Sequence, residues 1–375
     1  MPSRKTTVNL LIALLLSVVW AVFSSRFTIE AGDFPSFYAA ALMARQGNLA
    51  YLHDESAFAT VERPLTPTKQ VTVFCARPSV YAAALTPFAF LSLRPSFIAW
   101  IVWQAAMLVG CWFWAYRRFG SDAVALAALF PPAIMGFAFG QDPVVFLTLF
   151  VLSFLLFERN RLFASGLVMG LVFIKPHLML LLPLALLLQR RWRMLFAMCA
   201  SATLLAAASL ALGGFAGAAR YLDFLRHEHS YLSPTPWRMM NVYAIALNLG
   251  LDNRILNIAL ALFVVACVCV VCRQGAWWQS LSAAMIGTFL IAPHAYLYDS
   301  TLLVLPAMLI VFQARSIFVR CTAAAILTPI PSLLQLAEIP WTGVAATLLL
   351  VLLLGLAGET SGVFRRAASP VPQPA

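Results

Sequence analysis

The feature that most constrains this chain is repetition: one apolar run follows another, rich in Leu, Ala, Val and Phe, each near the length that crosses a hydrocarbon core of about 30 Å. In hydrocarbon every backbone N–H and C=O must be satisfied within the segment, so runs that are apolar on all sides are helices. A membrane barrel would instead show short strands alternating apolar and polar residues. The chain therefore reads as an all-α polytopic membrane protein. Its 375 residues are 62% hydrophobic and only 10% charged, and 1–366 reads as one transmembrane domain.

The formal charge of +11 does not imply a nucleic-acid partner. The cations sit in small clusters flanking apolar runs instead of forming a basic face, so they read as topology signals. Short basic loops stay cytoplasmic, and "YRRFG", "ERNR", "QRRWR", "CRQG", "QARSIFVR" and "FRR" can all share one side with the N-terminus. That threading gives about twelve spans, at 8–25, 95–116, 121–139, 143–157, 162–174, 177–189, 194–213, 253–272, 277–292, 299–313, 317–335 and 341–357. The first follows Arg4 and Lys5 without an A-x-A-like cleavage site and reads as a retained anchor in a cytoplasmic (inner) membrane. The apolar stretch "SVYAAALTPFAFLSL" at 79–93 cannot cross without inverting every later loop, so it reads as a helix lying at or dipping into the outer face.

Only cations fixed this map, yet of the fourteen carboxylates it leaves just Asp122, Glu158 and Glu359 inside. Function is therefore sought on the outer side, facing the periplasm or cell exterior. Two outer segments are long, 26–94 and 214–252, and each mixes aromatics, charge and Pro. That mixture suits juxtamembrane helices over a membrane-level cavity. The Pro-rich end, 367–375, reads as a disordered tail. Of the seven cysteines only Cys75 falls outside, which indicates no disulfide framework, and "CVCVVC" reads as helix filler and not as a metal site.

Four outer turns hold polar groups that lipid would not tolerate without cause. They are the loop around Asp33, "GQDP" with Gln141 and Asp142, "IKPHL" with Lys175 and His177, and "APHAYLYD" with His294, Tyr298 and Asp299. The run before Lys175 starts at Leu162, so its thirteen residues reach about 20 Å at ~1.5 Å per residue. Lys175 is expected below the outer surface, where a cation is costly and faces a polar cavity or an anion. Snorkelling of Lys175 and capping by His177 is the competing account. A lipid phosphate is the natural anion, because its chain needs hydrocarbon and its head needs cations. Lys175, His177 and His294 would hold it as a leaving group, Gln141, Asp142, Tyr298 and Asp299 would support them, and Asp33 would be left as a base. Asp33 also precedes "PSFYAAALMARQG", a good helix start, so an N-cap is its structural alternative. Asp54 and Glu55 are secondary candidates in a solvated loop.

The ordered segments "DFPSFYAAALMARQGNLAYLHD", "RPSVYAAALTPFAFL", "GQDPVVFLTL", "ASGLVMGLVFIKPHLMLLLPLALLLQRRWR" and "APHAYLYDSTLLVLPAML" resemble glycosyltransferase family 87. The resemblance covers most of the chain. It implies a GT-C fold and an inverting hexosyltransferase that takes its sugar from a polyprenyl-phosphate donor. Mannose is the family default, as in the mannosyltransferases of mycobacterial glycolipid synthesis. The acceptor would be a lipid or glycan, and membrane lipids would surround the protein. The resemblance makes Asp33 the catalytic base. This sequence departs from the usual pattern at Arg77-Pro78-Ser79, where relatives more often show an aromatic and two prolines, and at Asp142, where Asn is commoner. No metal or other cofactor is expected, since a monophosphate leaving group can be neutralised by Lys and His. A transporter or flippase for lipid-linked sugars is the alternative from another class, although no internal repeat marks two halves. A membrane acyltransferase would need a His-Asp pair near the cytoplasmic face, and none is found in the sequence.

Overall fold

The computed structural model describes residues 3–24, 29, 32–67, 72–231, 239–251, 253–336 and 343–362. The tail expected to be disordered, 367–375, lies outside these residues. Among them all elements are helical and no strand forms. Helix α1 (Arg4–Ser24) is followed by α2 (Phe34–Arg45), α3 (Glu55–Glu62) and α4 (Ser79–Ala84), which build the first long connection and lead to α5 (Leu93–Phe119). Then come α6 (Ser121–Ala128), α7 (Pro132–Ala138), α8 (Pro143–Glu158), α9 (Leu162–Gly170), α10 (Leu182–Leu188) and α11 (Trp192–Tyr231). The chain continues through α12 (Val242–Asn248), α13 (Arg254–Gln274), α14 (Trp277–Ile291), α15 (Val304–Gln313), α16 (Ile317–Ile326), α17 (Pro329–Leu336) and α18 (Gly343–Thr360).

Four of these helices, α1, α5, α11 and α13, are long and apolar enough to cross a membrane, and α6 with α7, bent by 49°, makes a fifth. Large apolar side chains stay exposed along them, among them Leu14 and Leu15 of α1 and Ile255 and Leu262 of α13. Only hydrocarbon makes such a surface tolerable. The protein is an all-α polytopic membrane protein.

Of the roughly twelve expected spans, these four or five are long single helices or one bent pair among the described residues, and the others fall on apolar helices that are shorter or broken. The stretch 177–189 is not one helix: a 3-10 turn over Pro176–Leu178 precedes α10, whose seven residues extend about 10 Å. The run 162–174 ends in a 3-10 turn over Leu171–Ile174, and 317–335 divides between α16 and α17. Pro131, Pro176 and Pro329 stand at these interruptions, because proline lacks the N–H that would continue a helix and crowds the preceding residue. The apolar stretch at 79–93 is two pieces, α4 and a 3-10 turn over Thr86–Phe90. Both pack on α2, and Tyr38 donates to the Leu91 carbonyl at 2.6 Å.

Three contacts each join groups that the cation-based map puts on one side. Lys5 pairs with Asp122 at 2.8 Å, Arg118 pairs with Glu158 at 3.0 Å, and Glu359 accepts from the backbone N–H groups of Arg315 and Ser316. The three acids assigned to one side thus meet groups assigned to the same side. Helix α11 bends at Gly214, where φ is +66°, one residue past the end of the span expected at 194–213. Beyond the bend it leans on the first connection, with Arg220 donating to the Ala50 carbonyl at 2.9 Å and His53 packed on Tyr221 and Phe224.

Two apolar cores result. The larger runs through α5 to α18, and the smaller lies under the first connection, built on Phe34, Phe37, Phe58, Phe74, Trp100 and Phe224. Ile174 packs against both, one residue before Lys175. The turn carrying Lys175 is set by the close approach of α9 to α11. A side chain on Gly166 or Gly170 would run into the backbone of Met194 or Met198, so the small-xxx-small spacing lets the two backbones touch.

Candidate functional site

Asp33 is placed by its own backbone. Its N–H donates to the Phe139 carbonyl at 2.7 Å, which ties the start of α2 to the turn between α7 and α8. That turn closes through Gly140, whose φ is +63° and whose missing side chain leaves the room that Phe34 occupies. Trp100 donates its ring N–H to the Gly140 carbonyl at 3.0 Å and completes the clasp. Asp33 stands in the N-cap position of α2 but its side chain makes no capping hydrogen bond. Its carboxylate accepts instead from the Gln141 side-chain amide. The capping account of Asp33 therefore does not describe its side chain.

Asp142, next to Gln141, is fully buried and clamps Arg77. The Arg77 guanidinium donates to it through Nη2 at 3.1 Å and Nε at 3.3 Å, and Tyr81 donates its hydroxyl at 2.9 Å. Burial pushes the Asp142 carboxyl up, but the charges of Arg77 and then Lys175 outweigh it and hold it below the usual carboxylate range. Arg77 and Asp142 are thus one buried ion pair.

Lys175 and Asp299 form a second pair, 3% and 1% exposed, so Lys175 does not snorkel to the surface. Asp299 also accepts from the Tyr296 backbone N–H at 3.3 Å, and the Lys175 ammonium stands 5.4 Å from the centre of the Tyr298 ring. His177 and His294 meet edge to face with ring centres 6.4 Å apart. The buried Nε2 of His177 has no hydrogen-bond partner among the described residues, which leaves a donor or acceptor available to a ligand.

These groups surround a cavity of about 260 Å³ lined by Asp33, Arg77, Gln141, Lys175, His177, His294, Tyr296, Tyr298 and Asp299. Every residue expected in the site faces this space except Asp142, which stands behind it holding Arg77. Asp54 and Glu55 lie elsewhere, Asp54 capping α3 through the Ala57 N–H at 3.0 Å. Among the described residues no cluster of three or more His, Cys, Asp or Glu side chains could hold a metal ion.

Sequence reasoning missed three participants. Arg77 was noted only as a departure from a pattern, although a lone cation beside apolar "SVYAAAL" needs a buried acid, and Asp142 was the other departure. His53 supports Arg77 from behind: its Nε2–H donates to the Arg77 carbonyl at 3.0 Å, and burial pushes its pKa down to about 4. Tyr296 was legible in the run of rings in "HAYLY", beside the two residues already singled out there, His294 and Tyr298.

What the arrangement can do chemically is take a proton at Asp33 and meet an anion at Lys175, His177 and His294 within one cavity. No curated protein and no solved structure matches the chain. The family model of glycosyltransferase family 87 does, over residues 78–297, which takes in Asp142, Lys175, His177, His294 and Tyr296. Asp33 and Arg77 stand before that stretch, and Tyr298 and Asp299 directly after it. A match over more than half of the chain, across the turns that build the cavity, makes this protein a member of glycosyltransferase family 87.

Proposed function

We propose that this glycosyltransferase moves a hexose, by family default mannose, from a polyprenyl-phosphate donor to a lipid or glycan acceptor on the outer face of the cytoplasmic membrane. The observation that supports it is the convergence of Asp33, from the first connection, with Lys175, His177 and His294, from two later turns, on one cavity. Asp33 takes the proton of the acceptor hydroxyl as its oxygen bonds to the anomeric carbon. The bond from that carbon to the phosphate oxygen breaks, and its electron pair leaves with the phosphate. Attack opposite the leaving group inverts the centre and needs one base only.

Gln141 holds the Asp33 carboxylate for this task. Its amide can donate to an acid but takes no proton, so it fixes orientation without competing for the proton. Lys175, His177 and His294 receive the leaving phosphate, which on this reading needs no metal ion. The lipid chain of the donor remains in hydrocarbon beside the cavity.

The test is transfer from a synthetic short-chain prenyl-phosphate hexose by purified protein and its Asp33→Asn form. Asn keeps the shape and still accepts from Gln141, so folding and donor affinity should hold while turnover falls by about 10² to 10⁴. Asp33→Glu should recover little, because the carboxylate is displaced by about one bond length. Near-normal turnover in Asp33→Asn would remove Asp33 as the base. Movement of the donor across vesicles without transfer would favour a transporter.

A further inference from the structure

A base and a phosphate site do not by themselves hold a sugar. A hexose ring has apolar C–H faces and a rim of hydroxyls, and its anomeric carbon becomes positively charged as the leaving group departs. A cavity built for it needs a flat apolar wall opposite polar groups.

The segment after α14 supplies such a wall. The backbone is extended at Tyr296, with φ −86° and ψ 169°, and turns into a 3-10 helix at Leu297, which carries Tyr298. His294, Tyr296 and Tyr298 line the cavity, while Ala292 and Ala295 are buried behind them. The His294 and Tyr296 rings lie 6.4 Å apart and 23° from parallel, and the Tyr296 and Tyr298 rings 5.9 Å apart and 33° from parallel. Tyr298 is already engaged by the Lys175 ammonium and by Phe139, whose ring is 6.5 Å away. The backbone beneath Tyr296 is held at three points. Met240 N–H donates to the Ala295 carbonyl at 2.8 Å, Tyr296 N–H donates to Asp299, and Asp299 N–H returns to the Tyr296 carbonyl at 3.0 Å. Asp33 and Gln141, on the same cavity, supply the groups that a hydroxyl rim needs.

We propose that Tyr296 is the platform for the transferred hexose: its ring packs on a C–H face of the sugar and stabilises the positive charge that develops at the anomeric carbon. This rests on hexosyl transfer at this cavity. A bare phosphate would need no aromatic wall, and a lipid chain would need no carboxylate and amide beside one. The π face attracts a cation more strongly than a neutral ring, so Tyr296 contributes more in the transition state than in the bound donor.

The experiment compares wild type, Tyr296→Phe and Tyr296→Leu by two readouts. The first is kcat and KM with short-chain prenyl-phosphate mannose and glucose. Phe keeps the π face and should stay within about threefold, whereas Leu keeps apolar bulk without it and should lose roughly 3- to 30-fold in kcat/KM, mainly in kcat. The second is saturation transfer in NMR from the protein's aromatic protons to the ring protons of methyl mannoside or methyl glucoside, which needs neither phosphate nor turnover. It should be seen in wild type and Phe and be lost in Leu, with all three proteins melting at the same temperature. Equal rates in Leu and wild type, equal losses in Leu and Phe, or undiminished saturation in Leu would overturn the platform. Saturation in wild type without sugar transfer from the prenyl phosphate would leave the platform standing and sink the donor.

Discussion

Two buried ion pairs flank the same cavity and are built differently. Asp142 is saturated: Arg77 gives it a two-pronged grip, Tyr81 adds a hydroxyl, and the guanidinium stands 5.8 and 5.9 Å from the centres of the Phe37 and Tyr81 rings. Lys175 meets Asp299 with a single compact ammonium, and it shares the cavity with two histidines, His177 and His294, that can meet an anion. A planar guanidinium fits a carboxylate and stays there, whereas an ammonium has three rotatable donors and can take a second oxygen ligand without leaving the first. The first pair is a rivet between the first connection and α8. The second is a contact that a substrate phosphate can share.

The comparison breaks most visibly if the rivet is cut on one side. Arg77→Ala leaves a fully buried carboxylate without its cation, a change that typically costs about 3–5 kcal/mol. Expression and melting temperature should fall steeply, and the double change Arg77→Met with Asp142→Leu should restore much of the loss, because well-packed apolar groups replace a buried pair at little cost. A thermal melt of each detergent-purified variant measures this. A stable Arg77→Ala protein with altered donor KM would mean that Arg77 belongs to the substrate and not to the fold.

A proton can probe the same rivet. His53 is neutral in the folded protein, with its pKa near 4 against an ordinary value of 6.5, and its Nε2–H holds the Arg77 carbonyl. The folded state therefore binds fewer protons than the unfolded one between these two values. Its contribution is fully present above pH 6.5, is lost as pH falls towards 4, and amounts to about 3 kcal/mol over that window. Melting followed from pH 7.5 to 4 should show a falling acid arm, shallower in His53→Gln. An identical arm in the variant would assign the acid sensitivity to other groups.

The contrast between the pairs also explains what the sequence disclosed. Apolar runs announce lipid-facing helices, because the bilayer acts on each residue separately; α1, α5 and α13 lie close to where composition places them. Short elements depend on partners. The 3-10 turns around Lys175 and the two pieces at 79–90 follow from proline positions combined with packing on α2, α11 and α14, which a pattern along the chain does not encode. Asp33, Lys175, His177 and His294 were legible because a polar group at membrane depth is costly and signals its own purpose. Arg77 was not, since its reason is Asp142, 65 residues away.

The finest test separates the pairs by the same conservative change on each. Asp142→Asn removes the charge from a clamp whose three donors have no other acceptor among the described residues, so it should lower stability and leave donor KM unchanged. Asp299→Asn removes charge where the amide oxygen can still accept from Lys175 or from the Tyr296 N–H, so the segment bearing Tyr296 keeps its shape. What changes is competition: Lys175 no longer answers to a carboxylate, and its positive charge is directed to the phosphate. Around the cavity Arg77 and Lys175 stand against Asp33, Asp142 and Asp299, so removing one carboxylate moves the balance towards an anionic ligand. The donor should bind about 3- to 10-fold tighter to Asp299→Asn, as expected for a change of about 1 kcal/mol in one charged contact. The affinity should fall with added salt more steeply than in wild type. Isothermal titration with a short-chain prenyl-phosphate hexose at two ionic strengths gives both numbers. Weaker binding in Asp299→Asn would show that Asp299 positions Lys175 for the phosphate, in which case the two pairs are alike after all and both are part of the frame.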